Sequence, residues 1–433
     1  MNFVSENLAV NEQGHLTIGG VDVLSLREKY GTPLYVMDED LIRQHLRTYR
    51  DALDTHYDGN GLCQFASKAF CTKYMCQIVA EEGLGLDVVS GGELYTALSA
   101  GFPADKICFH GNNKTKDELT FAIGHGVGTV VVDHIYELEL IETIAGDMEK
   151  TQNVLFRIKP GIDAHTHDFI MTGQIDSKFG FALENGEALE AISQVKDKKH
   201  ICFKGLHCHI GSQIFEVEPF CETAVVMMRF ISKIKNELNL VTEELDLGGG
   251  FGIRYVESDD PIPYDQYIKA VSETVKVQAE ILGVKVPRIL MEPGRSIVAP
   301  AGITVYDVGC IKEIQNVRTY VSVDGGMADN PRYIMYGAEY SAVLANKADK
   351  PADNTYRVAG KCCESGDILI ENAKLPQVEV GDTLCVLATG AYNYSMASNY
   401  NRIPRPAVVM VSGGKDKLIV KRETYEDLIK NDL

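Results

Sequence analysis

The sequence predicts a (β/α)8 barrel and a second, all-β domain built from both ends of the chain. Between residues 61 and 292, short β-rich runs alternate with amphipathic segments whose apolar residues recur near the 3.6-residue period of a helix. Beyond Pro300 the helical periodicity fades, and β-rich stretches are separated by turns rich in Gly, Asp, Asn and Pro. We therefore predict three segments: 1–36, which joins the β-domain; 37–299, the barrel; and 300–433, the C-terminal β-domain.

Eight β-rich runs make up the predicted barrel strands. They lie at residues 62–67, 86–89, 107–110, 129–132, 154–158, 201–209, 244–247 and 288–291, and helical segments at 114–123, 135–144, 219–238 and 264–282 follow four of them. Eight strands, each followed by a helix or a connection, are typical of a (β/α)8 barrel. A doubly wound open sheet is the alternative, because the strand count comes from one sequence.

The β-rich stretches beyond the barrel lie at residues 304–308, 319–323, 383–387 and 407–411. The segment before about residue 36, including Gly19-Gly20-Val21-Asp22-Val23, also has a strand-and-turn composition. We expect this segment to pair with the C-terminal domain and not with the barrel.

Composition and charge argue against several classes of protein. The chain has 433 residues, of which 45% are hydrophobic and 24% charged, as in a globular protein of two or three domains. A net charge of −19 argues against nucleic acid or an anionic membrane as a partner. No run reaches the roughly 20 apolar residues of a membrane span, and residues 1–7 lack the features of a secretory signal. Eleven cysteines without a CxxC pair indicate a reduced, cytoplasmic protein.

Chemically active residue types collect at the predicted strand ends. In chain order they are Lys68, Asp87 with Ser90, Arg157, His209, Gly248-Gly249-Gly250 and Glu292. In a (β/α)8 barrel the active site lies where the strands end at their C-terminal side. This convergence on one face indicates a site more strongly than any single motif does.

Lys68 closes the apolar run QFASKAF at residues 64–70. Desolvation at such a place favours the neutral amine over the ammonium, and a neutral amine can condense with an aldehyde. The alternative is an ordinary strand end whose ammonium reaches water.

Gly248-Gly249-Gly250, with Gly252, lets the backbone come close to a ligand and turn its N–H groups toward an anion such as a phosphate. The motif is neither a Walker loop nor a dinucleotide fingerprint, and a plain strand-to-helix turn is the alternative. Arg295 and the Ser212 hydroxyl are natural additional phosphate donors.

His207 and His209 are two residues apart on a predicted strand, so both face one side. Three interpretations are open: a histidine that stacks on a cofactor ring, a metal ligand, and a buried core histidine. In the metal interpretation the chain is a metal-dependent hydrolase, and His165-Thr166-His167 supplies further ligands. The glycine motif and the candidate lysine favour stacking, because a metal site needs neither.

Glu292 bears on the electronics of a pyridine cofactor. A carboxylate beside a pyridine nitrogen keeps that nitrogen protonated, and a protonated ring stabilises the carbanion left by loss of carbon dioxide. A strand-end salt bridge with Arg295 is the alternative. Together with the lysine, the glycines and the histidine, this carboxylate predicts a site for pyridoxal phosphate.

Two further motifs lie in the predicted β-domain. Cys362-Cys363-Glu364 places a thiol beside a carboxylate at a turn, and two buried cysteines before a turn are the alternative. Arg332 and Tyr336 are suited to clamp a carboxylate, and a solvated pair is the alternative.

As a set, these residues resemble the diaminopimelate decarboxylase family, which are pyridoxal-phosphate-dependent decarboxylases of the alanine-racemase-like fold. The motifs that carry the resemblance are Ser67-Lys68, SKFG at 177–180, HCHIGSQ at 207–213, LGGGFGI at 247–253, EPGRS at 292–296, DGGMADNPR at 324–332, CESGD at 363–367 and GAYNYSMASNYN at 390–401. They cover nearly the whole chain, and Phe65 stands where the family's tyrosine is expected. The family's fold, a barrel plus a β-domain built from both chain ends, agrees with the pattern of elements.

The resemblance implies a role for each residue of a site. Lys68 and Cys363 would be catalytic, Lys68 holding the cofactor covalently and Cys363 giving a proton to the decarboxylated carbon. Cofactor binding is implied for Lys68, Asp87, His209, Ser212, Gly248, Gly249, Gly250, Glu292, Gly294, Arg295 and Tyr392, and substrate binding for Arg295, Arg332, Tyr336, Glu364 and Tyr392. Glu93 and Arg157 would be supports, together with Asp87, and no metal is implied.

The implied function is decarboxylation of meso-2,6-diaminopimelate to L-lysine with pyridoxal 5'-phosphate, the last step of lysine biosynthesis. The implied assembly is a homodimer with shared active sites, in which Cys363 and Glu364 come from the second subunit. The main alternative is a decarboxylase of ornithine, arginine or a carboxylated polyamine. Those substrates end in a cation and require an acidic pocket instead of Arg332 with Tyr336. A non-catalytic homologue of the antizyme-inhibitor type should have lost the lysine or the glycines, which are present here.

Overall fold

The computed structural model describes residues 3–162 and 177–433. The chain divides into two compact units. The barrel unit comprises His45–Gly252 and Pro261–Gly294, and the β unit comprises Met1–Gln44, Ile253–Asp260 and Arg295–Leu433. The β unit is therefore assembled from three separate stretches of chain. The domain boundaries that the sequence predicts, at residues 36 and 299, stay predictions.

Strands and helices are numbered along the described residues. The strands are β1 (Leu8–Val10), β2 (Leu16–Ile18), β3 (Val21–Asp22), β4 (Leu34–Asp38), β5 (Gly61–Ala66), β6 (Gly85–Val88), β7 (Ile107–Phe109), β8 (Thr129–Val132), β9 (Gln152–Lys159), β10 (Phe181–Ala182), β11 (Ile201–Cys208), β12 (Glu244–Asp246), β13 (Arg288–Met291), β14 (Gly302–Ile314), β15 (Arg318–Val323), β16 (Ala342–Leu344), β17 (Asn354–Ala359), β18 (Ile368–Leu375), β19 (Thr383–Val386), β20 (Ala407–Ser412) and β21 (Lys415–Val420). The helices are α1 (Val23–Tyr30), α2 (Glu39–His56), α3 (Lys73–Glu81), α4 (Gly91–Ser99), α5 (Lys116–Gly124), α6 (Ile135–Asp147), α7 (Glu187–Ser193), α8 (Glu218–Leu238), α9 (Tyr264–Leu282), α10 (Arg295–Val298), α11 (Arg332–Tyr336) and α12 (Tyr425–Ile429).

Parallel strands close into a ring in the barrel unit. The order is β5-β6-β7-β8-β9-β11-β12-β13, and β13 pairs again with β5. The two-residue strand β10 pairs with β9 outside this ring. The eight ring strands coincide with the eight predicted runs, so the barrel prediction is confirmed and the doubly wound open sheet is wrong.

Burial on both faces explains why these segments form parallel strands. β8 is the run TVVV, in which every residue but the first is buried, and β-branched side chains favour a fully covered strand. Inside the ring, Cys108, Val131, Leu155 and Leu290 from four different strands form an apolar cluster. The barrel interior is therefore a packed core, and polar chemistry is left to the ends of the strands.

The barrel helices begin and end at local signals in the sequence. A capping box of Thr115 and Glu118 begins α5, because each side chain accepts a hydrogen bond from the other residue's backbone N–H. Asn239 and Gly283, both in the left-handed region, end α8 and α9. Helix α9 has the predicted bounds, and α8 begins one residue earlier than predicted.

The β unit is a mixed sheet that contains strands from both ends of the chain. Its main path is β18-β17-β15-β14-β4-β20-β21, with β19 pairing with β14 and β16, and β1-β2-β3 forms a separate small sheet. Strand β4 pairs antiparallel with β14 and parallel with β20. The prediction that the N-terminal segment joins the C-terminal domain is therefore confirmed.

Helix α1 is a feature of the β unit that the strand-and-turn interpretation of the N-terminal segment missed. The Asp22 side chain caps this helix by accepting from the Leu24 N–H at 2.8 Å, and Gly31 ends it. Val23 and Leu26 are its buried residues. An eight-residue helix that buries two side chains is too short to show a clear period in the sequence.

Among the helices of the described residues, none combines the length and the apolar character that a membrane crossing requires.

Candidate active site

Polar residues collect at the C-terminal ends of the barrel strands. In ring order they are Lys68 in a 3₁₀ turn after β5, Asp87 on β6, His110 after β7, Arg157 on β9, His207 and His209 at the end of β11, Asp246 on β12 and Glu292 after β13. The predicted set therefore lies at one end of the barrel, together with His110 and Asp246, which no motif had indicated.

Lys68 is held in place by its neighbours. The Ser67 hydroxyl donates to Glu93 Oε2 at 2.8 Å, and the same oxygen accepts from the Val89 N–H at 2.7 Å. The prediction that the protein buries the Lys68 side chain away from water is wrong. Lys68 is exposed, whereas its neighbours Ser67 and Ala69 are buried. The reason is local: β5 ends at Ala66, and Lys68 lies in the turn beyond it.

Glu292 lies at the centre of a buried cluster. His110 Nε2 lies 2.7 Å from Oε1, and His207 Nε2 lies 3.2 Å from Oε2. The side chains of all three residues are at most 5% exposed. Asp87 is next to the cluster, with Oδ1 3.7 Å from His110 Nε2. The salt bridge with Arg295 considered from the sequence is thus replaced by contacts with two histidines.

Burial and mutual charge displace the pKa values of this cluster. Burial alone would raise the pKa of Glu292, but His110 and His207 hold it well below its usual value. Burial lowers the pKa of His207 to about 4 and raises that of Asp87 to about 6. Burial, and then the charge of Glu292, raise the pKa of Asp246 well above its usual value. Near neutral pH, Glu292 is therefore the carboxylate of this cluster that is most firmly ionised.

Among the described residues, the structure does not bring together the histidines of the metal interpretation. His110, His207 and Glu292 are the one group in the described part of the chain whose potential ligand atoms all lie within 4.8 Å of one another. Two ligands of one tetrahedral zinc ion lie roughly 3.3 Å apart, whereas Glu292 Oε1 and His110 Nε2 are 2.7 Å apart, as in a hydrogen bond or ion pair. His209 is not in this group, and His165 and His167 lie outside the described residues.

His209 presents a neutral imidazole. Burial, followed by the charges of Lys68 and Arg157, lowers its pKa well below the usual value. The Gly249 N–H donates to its Nδ1 at 3.3 Å, so the proton of the neutral ring is on Nε2. A neutral ring fixed in this way has a face suited to stacking on an aromatic cofactor.

The glycines after β12 are required by close backbone packing. A Cβ on Gly249 would lie 2.2 Å from the Glu292 carbonyl oxygen, and one on Gly248 would lie 2.7 Å from the Cys208 carbonyl oxygen. Gly248 and Gly250 also have φ values of 69° and 114°. The Gly248 N–H donates to Asp246 Oδ1 at 2.9 Å, so with Gly249 two of the three amides are directed at protein acceptors.

The remaining predicted residues of the barrel unit line the same strand ends. Ser212 is half-buried in the loop after β11. Gly294 packs against Ala66, since a Cβ there would lie 3.0 Å from the Ala66 Cβ. The Arg157 guanidinium lies 4.1 Å from the centre of the Phe179 ring, a cation–π contact that fixes a half-buried cation.

In the β unit, two guanidinium groups lie beside one tyrosine. The guanidinium carbons of Arg295 and Arg332 are 4.9 Å and 5.3 Å from the centre of the Tyr392 ring. Arg295 also donates to the Tyr255 hydroxyl at 2.6 Å, and Arg332 lies 5.3 Å from the Tyr336 ring. The structure therefore brings together the arginines and tyrosines of the predicted substrate set.

Arg332 is buried, and no acidic side chain of the described residues pairs with it. No carboxylate of the described residues lies within ion-pair distance of its guanidinium, and its Nε has no hydrogen-bond partner among those residues. Burial alone would lower the pKa of Arg332. The neighbouring tyrosines, led by Tyr340, have the larger combined effect, so the pKa of Arg332 lies above its usual value. A buried cation in this state is stabilised by an anion supplied from outside the protein.

The loop that carries Cys363 and Glu364 is anchored by a buried carboxylate. Asp367 accepts from the Cys362 N–H at 2.7 Å and from the Met327 N–H at 2.6 Å, which ties two loops of the β unit together. Cys363 and Glu364 are both exposed. Cys362 is the buried cysteine of the pair, so the alternative of two buried cysteines is wrong for Cys363.

The residues that sequence reasoning missed were visible only as strand ends. His110 is the last residue of the predicted run 107–110, and Asp246 lies within the run 244–247. A rule that treats every polar side chain at a barrel strand end as a candidate would have found both. Tyr255 belongs to the stretch Ile253–Asp260 of the β unit, for which the sequence offers no signal.

Comparison with known proteins agrees with these observations. Residues 39–299 match the family model of the pyridoxal-dependent decarboxylases, pyridoxal binding domain. Diaminopimelate decarboxylase of Bacillus subtilis is 52% identical over 98% of this chain and 96% of its own length, and that of Staphylococcus aureus is 48% identical over 98% of both. The crystal structure of diaminopimelate decarboxylase from M. jannaschii in complex with L-lysine has a TM-score of 0.93 at 36% identity, covering 100% of this chain and 99% of that one.

Proposed function

The chain belongs to the pyridoxal-dependent decarboxylase family, and on that basis we propose that it decarboxylates meso-2,6-diaminopimelate to L-lysine, the last step of lysine biosynthesis. Relatives of this name are similar over nearly the whole chain. Within the structure, the observation that carries the proposal is the pair of guanidinium groups beside Tyr392. They suit a substrate that keeps a second carboxylate far from the one it loses.

Pyridoxal 5'-phosphate is the proposed cofactor, and the strand-end residues of the barrel fit it. Bound, it supplies an aldehyde for amine condensation and a pyridine ring that accepts electrons from the carbon losing carbon dioxide. Lys68 would bind the aldehyde, the neutral ring of His209 would face the pyridine ring, and Glu292 would accept from the ring nitrogen. Asp87 lies in the same buried cluster as Glu292.

We assign the phosphate to Ser212, the glycine loop, Gly294 and Arg295. Because the amides of Gly248 and Gly249 are directed at protein acceptors, the Gly250 amide is the one of the three best suited to a phosphate oxygen. The crowded backbone around these glycines allows no Cβ, so a ligand there meets main-chain atoms directly.

The distal carboxylate of the substrate is assigned to Arg295, Arg332 and Tyr336, with Tyr392 contacting both substrate and cofactor. A guanidinium presents two N–H groups in a fork that matches a carboxylate. A buried cation repels the terminal ammonium of ornithine, whereas it attracts the terminal carboxylate of diaminopimelate. The positive charge of these arginines therefore favours diaminopimelate over the polyamine precursors.

Cys363 and Glu364 are proposed to act in a homodimer with shared active sites. Cys363 would give a proton to the decarboxylated carbon, and Glu364 would bind the distal ammonium of the substrate. Both side chains are exposed, and the anchored loop places their backbone firmly. A thiol and a carboxylate that are exposed and held on a fixed loop are suited to complete the active site of the other subunit.

A cytoplasmic location and the domain boundaries complete the proposal. All eleven cysteines are free thiols, as is usual where the compartment is reducing. The family-model match to 39–299 supports the proposed barrel segment 37–299, with 1–36 and 300–433 as the β-domain.

The test is a product assay on the purified protein loaded with the cofactor. Incubation with meso-diaminopimelate should release carbon dioxide and L-lysine in equal amounts, and the loaded protein should absorb visible light. Absence of both signals would support the non-catalytic interpretation, in which the chain binds a partner protein. Visible absorption without lysine formation would move the chain to another decarboxylase of the same fold.

A further inference from the structure

We infer that His110 and His207 are positioning residues that hold the Glu292 carboxylate, with one imidazole nitrogen against each of its oxygens, in the orientation and charge that a protonated ring nitrogen requires. This inference rests on the proposed function, because the ring nitrogen belongs to the proposed cofactor. The resemblance assigns neither histidine a role in binding the cofactor or the substrate.

The two histidines reach Glu292 from different parts of the ring. His110 follows β7, His207 is on β11 and Glu292 follows β13. The two contacts with the carboxylate therefore come from two different strands of the barrel. The distances are 2.7 Å for His110 Nε2 to Oε1 and 3.2 Å for His207 Nε2 to Oε2. The His207 contact is a regular hydrogen bond. The His110 contact is an ion pair by its length, since neither His110 Nε2 nor Glu292 Oε1 has a hydrogen-bond partner among the described residues. The two imidazole rings lie 4.9 Å apart, edge to face, and restrict each other's rotation.

The backbone of the cluster is also fixed. The His110 N–H donates to the Val88 carbonyl at 2.8 Å, and the Glu292 N–H donates to the Gly248 carbonyl at 2.8 Å. With backbone and side chain both held, the carboxylate oxygens have little freedom to turn away. A positioned group of this kind acts without reorganisation at the moment of reaction.

Burial opposes the ionised form of Glu292, and the two histidines counteract that effect. A carboxylate removed from water favours its protonated form. A Glu292 that took a proton from the ring nitrogen would leave the ring neutral, and a neutral ring is a poor electron acceptor. Two imidazole nitrogens at the carboxylate oxygens stabilise the anion instead, in agreement with the lowered pKa of Glu292. With pyridoxal phosphate bound, an ionised Glu292 would therefore leave the proton on the ring nitrogen.

Other titratable groups surround the cluster, namely Asp246, Asp87 and Arg157. Asp246 Oδ1 accepts from the Gly248 N–H, and burial together with the charge of Glu292 raises the pKa of Asp246 well above its usual value. Asp87 Oδ1 lies 3.7 Å from His110 Nε2, and the half-buried Arg157 adds a positive charge. His207 is neutral above about pH 4, so it donates through Nε2 while its Nδ1 has no partner among the described residues.

The experiment compares donor-free with donor-retaining substitutions. His110→Met and His207→Met fill a similar volume without an N–H, whereas His110→Gln and His207→Gln keep an N–H near the position of Nε2. Each protein is loaded with pyridoxal phosphate labelled with ¹⁵N in the ring, and the ¹⁵N chemical shift reports whether the ring nitrogen is protonated. Thermal unfolding curves check that each variant is folded.

The wild type and both Gln variants should show a protonated ring nitrogen, and the double Met variant an unprotonated one. Its kcat for decarboxylation should fall about 10²-fold, the scale for losing one preorganised electrostatic contact, with little change in KM. A protonated ring nitrogen in the double Met variant would overturn the inference. If the double variant does not fold, each single Met variant must show a ring nitrogen that loses its proton at lower pH than in the wild type, and an unchanged titration overturns the inference.

The same samples separate this inference from the proposed function. A wild-type protein that binds no pyridoxal phosphate would overturn both. A wild-type protein that binds it with an unprotonated ring nitrogen, yet forms lysine, would overturn the positioning role and leave the function standing.

Discussion

The barrel unit and the β unit both bury charged side chains, but they balance the charge in different ways. In the barrel unit, Glu292 contacts two imidazoles and lies beside two further carboxyl groups whose pKa values are raised. The charge of Glu292 is therefore balanced within the cluster. In the β unit, Arg332 is buried among tyrosines, and no carboxylate of the described residues lies within ion-pair distance. A self-compensated cluster fixes a protonation state, whereas an uncompensated cation requires the charge of a ligand.

This difference predicts two kinds of mutational effect. Changes in the barrel cluster should alter the chemical step for every substrate, and changes at Arg332 in the β unit should alter the choice of substrate. The following variants are designed to separate the two regions or to show that they act alike.

Lys68→Ala should have the largest effect, because the proposed covalent attachment of the cofactor depends on this amine. Borohydride treatment of the wild type should fix the cofactor to the peptide that contains Lys68 and bleach the visible absorption. Decarboxylation of meso-diaminopimelate by the variant should fall by more than about 10³-fold, within the range for loss of a group that also moves protons. Mass spectrometry that finds the same covalent label in Lys68→Ala would show that the wrong lysine has been chosen.

Arg332→Ala should lower kcat/KM for meso-diaminopimelate by about 30- to several-thousand-fold, since truncating one partner of a buried charge pair commonly costs about 2–5 kcal/mol. Activity on ornithine, which has no distal carboxylate, should stay the same or rise. Arg332→Lys is the matched control, because it keeps the charge but loses the fork of N–H groups, and it should fall between the two. Equal losses on both substrates would mean that Arg332 belongs with the chemical machinery instead.

Glu292→Gln should lower kcat and kcat/KM together by about 10²- to 10³-fold, as expected for a contact that acts mainly in the transition state. Cofactor binding, measured by absorbance titration, should persist because the proposed phosphate contacts are untouched. The loss should be the same fraction for meso-diaminopimelate and for any slow alternative substrate. A variant that changed KM alone would contradict the assignment of Glu292 to the ring nitrogen.

Mixing Lys68→Ala with Cys363→Ala tests whether subunits share their sites. Each variant alone should be nearly inactive. After subunit exchange at equal amounts, half of the dimers are mixed and each mixed dimer has one intact site, so about a quarter of wild-type activity should return. No recovery, despite heterodimers seen by native mass spectrometry, would show that each subunit builds its own site.

Much of the fold could be predicted because the barrel strands are short β-rich segments that contain buried apolar residues. The eight ring strands coincide with the predicted runs, since each is buried and carries its own signal in the sequence. Helix α1 was missed because its signal is short and rests on the capping contact of Asp22. The stretch Ile253–Asp260 joins the β unit through contacts that are remote in sequence.

The sequence predicted the parts of the site whose chemistry follows from the residue type. It missed the parts that depend on contacts between residues far apart in the chain. Lysine, glycines and glutamate at strand ends were recognisable from the sequence alone. The contacts of His110 and His207 with Glu292 join residues that are far apart in sequence, so no spacing rule reveals them. The exposure of Lys68 depends on where β5 ends, which sequence patterns place only within a few residues.

The most direct test of the division between the two regions is the substrate preference of the wild-type enzyme. Steady-state kcat/KM should be measured for meso-diaminopimelate and for ornithine under identical conditions with saturating pyridoxal phosphate. The buried guanidinium of Arg332 predicts a preference for meso-diaminopimelate of at least about 30-fold, the lower bound for a desolvated charge pair. Turnover of ornithine at an equal or greater kcat/KM would contradict the account and move the chain to the polyamine branch of the family.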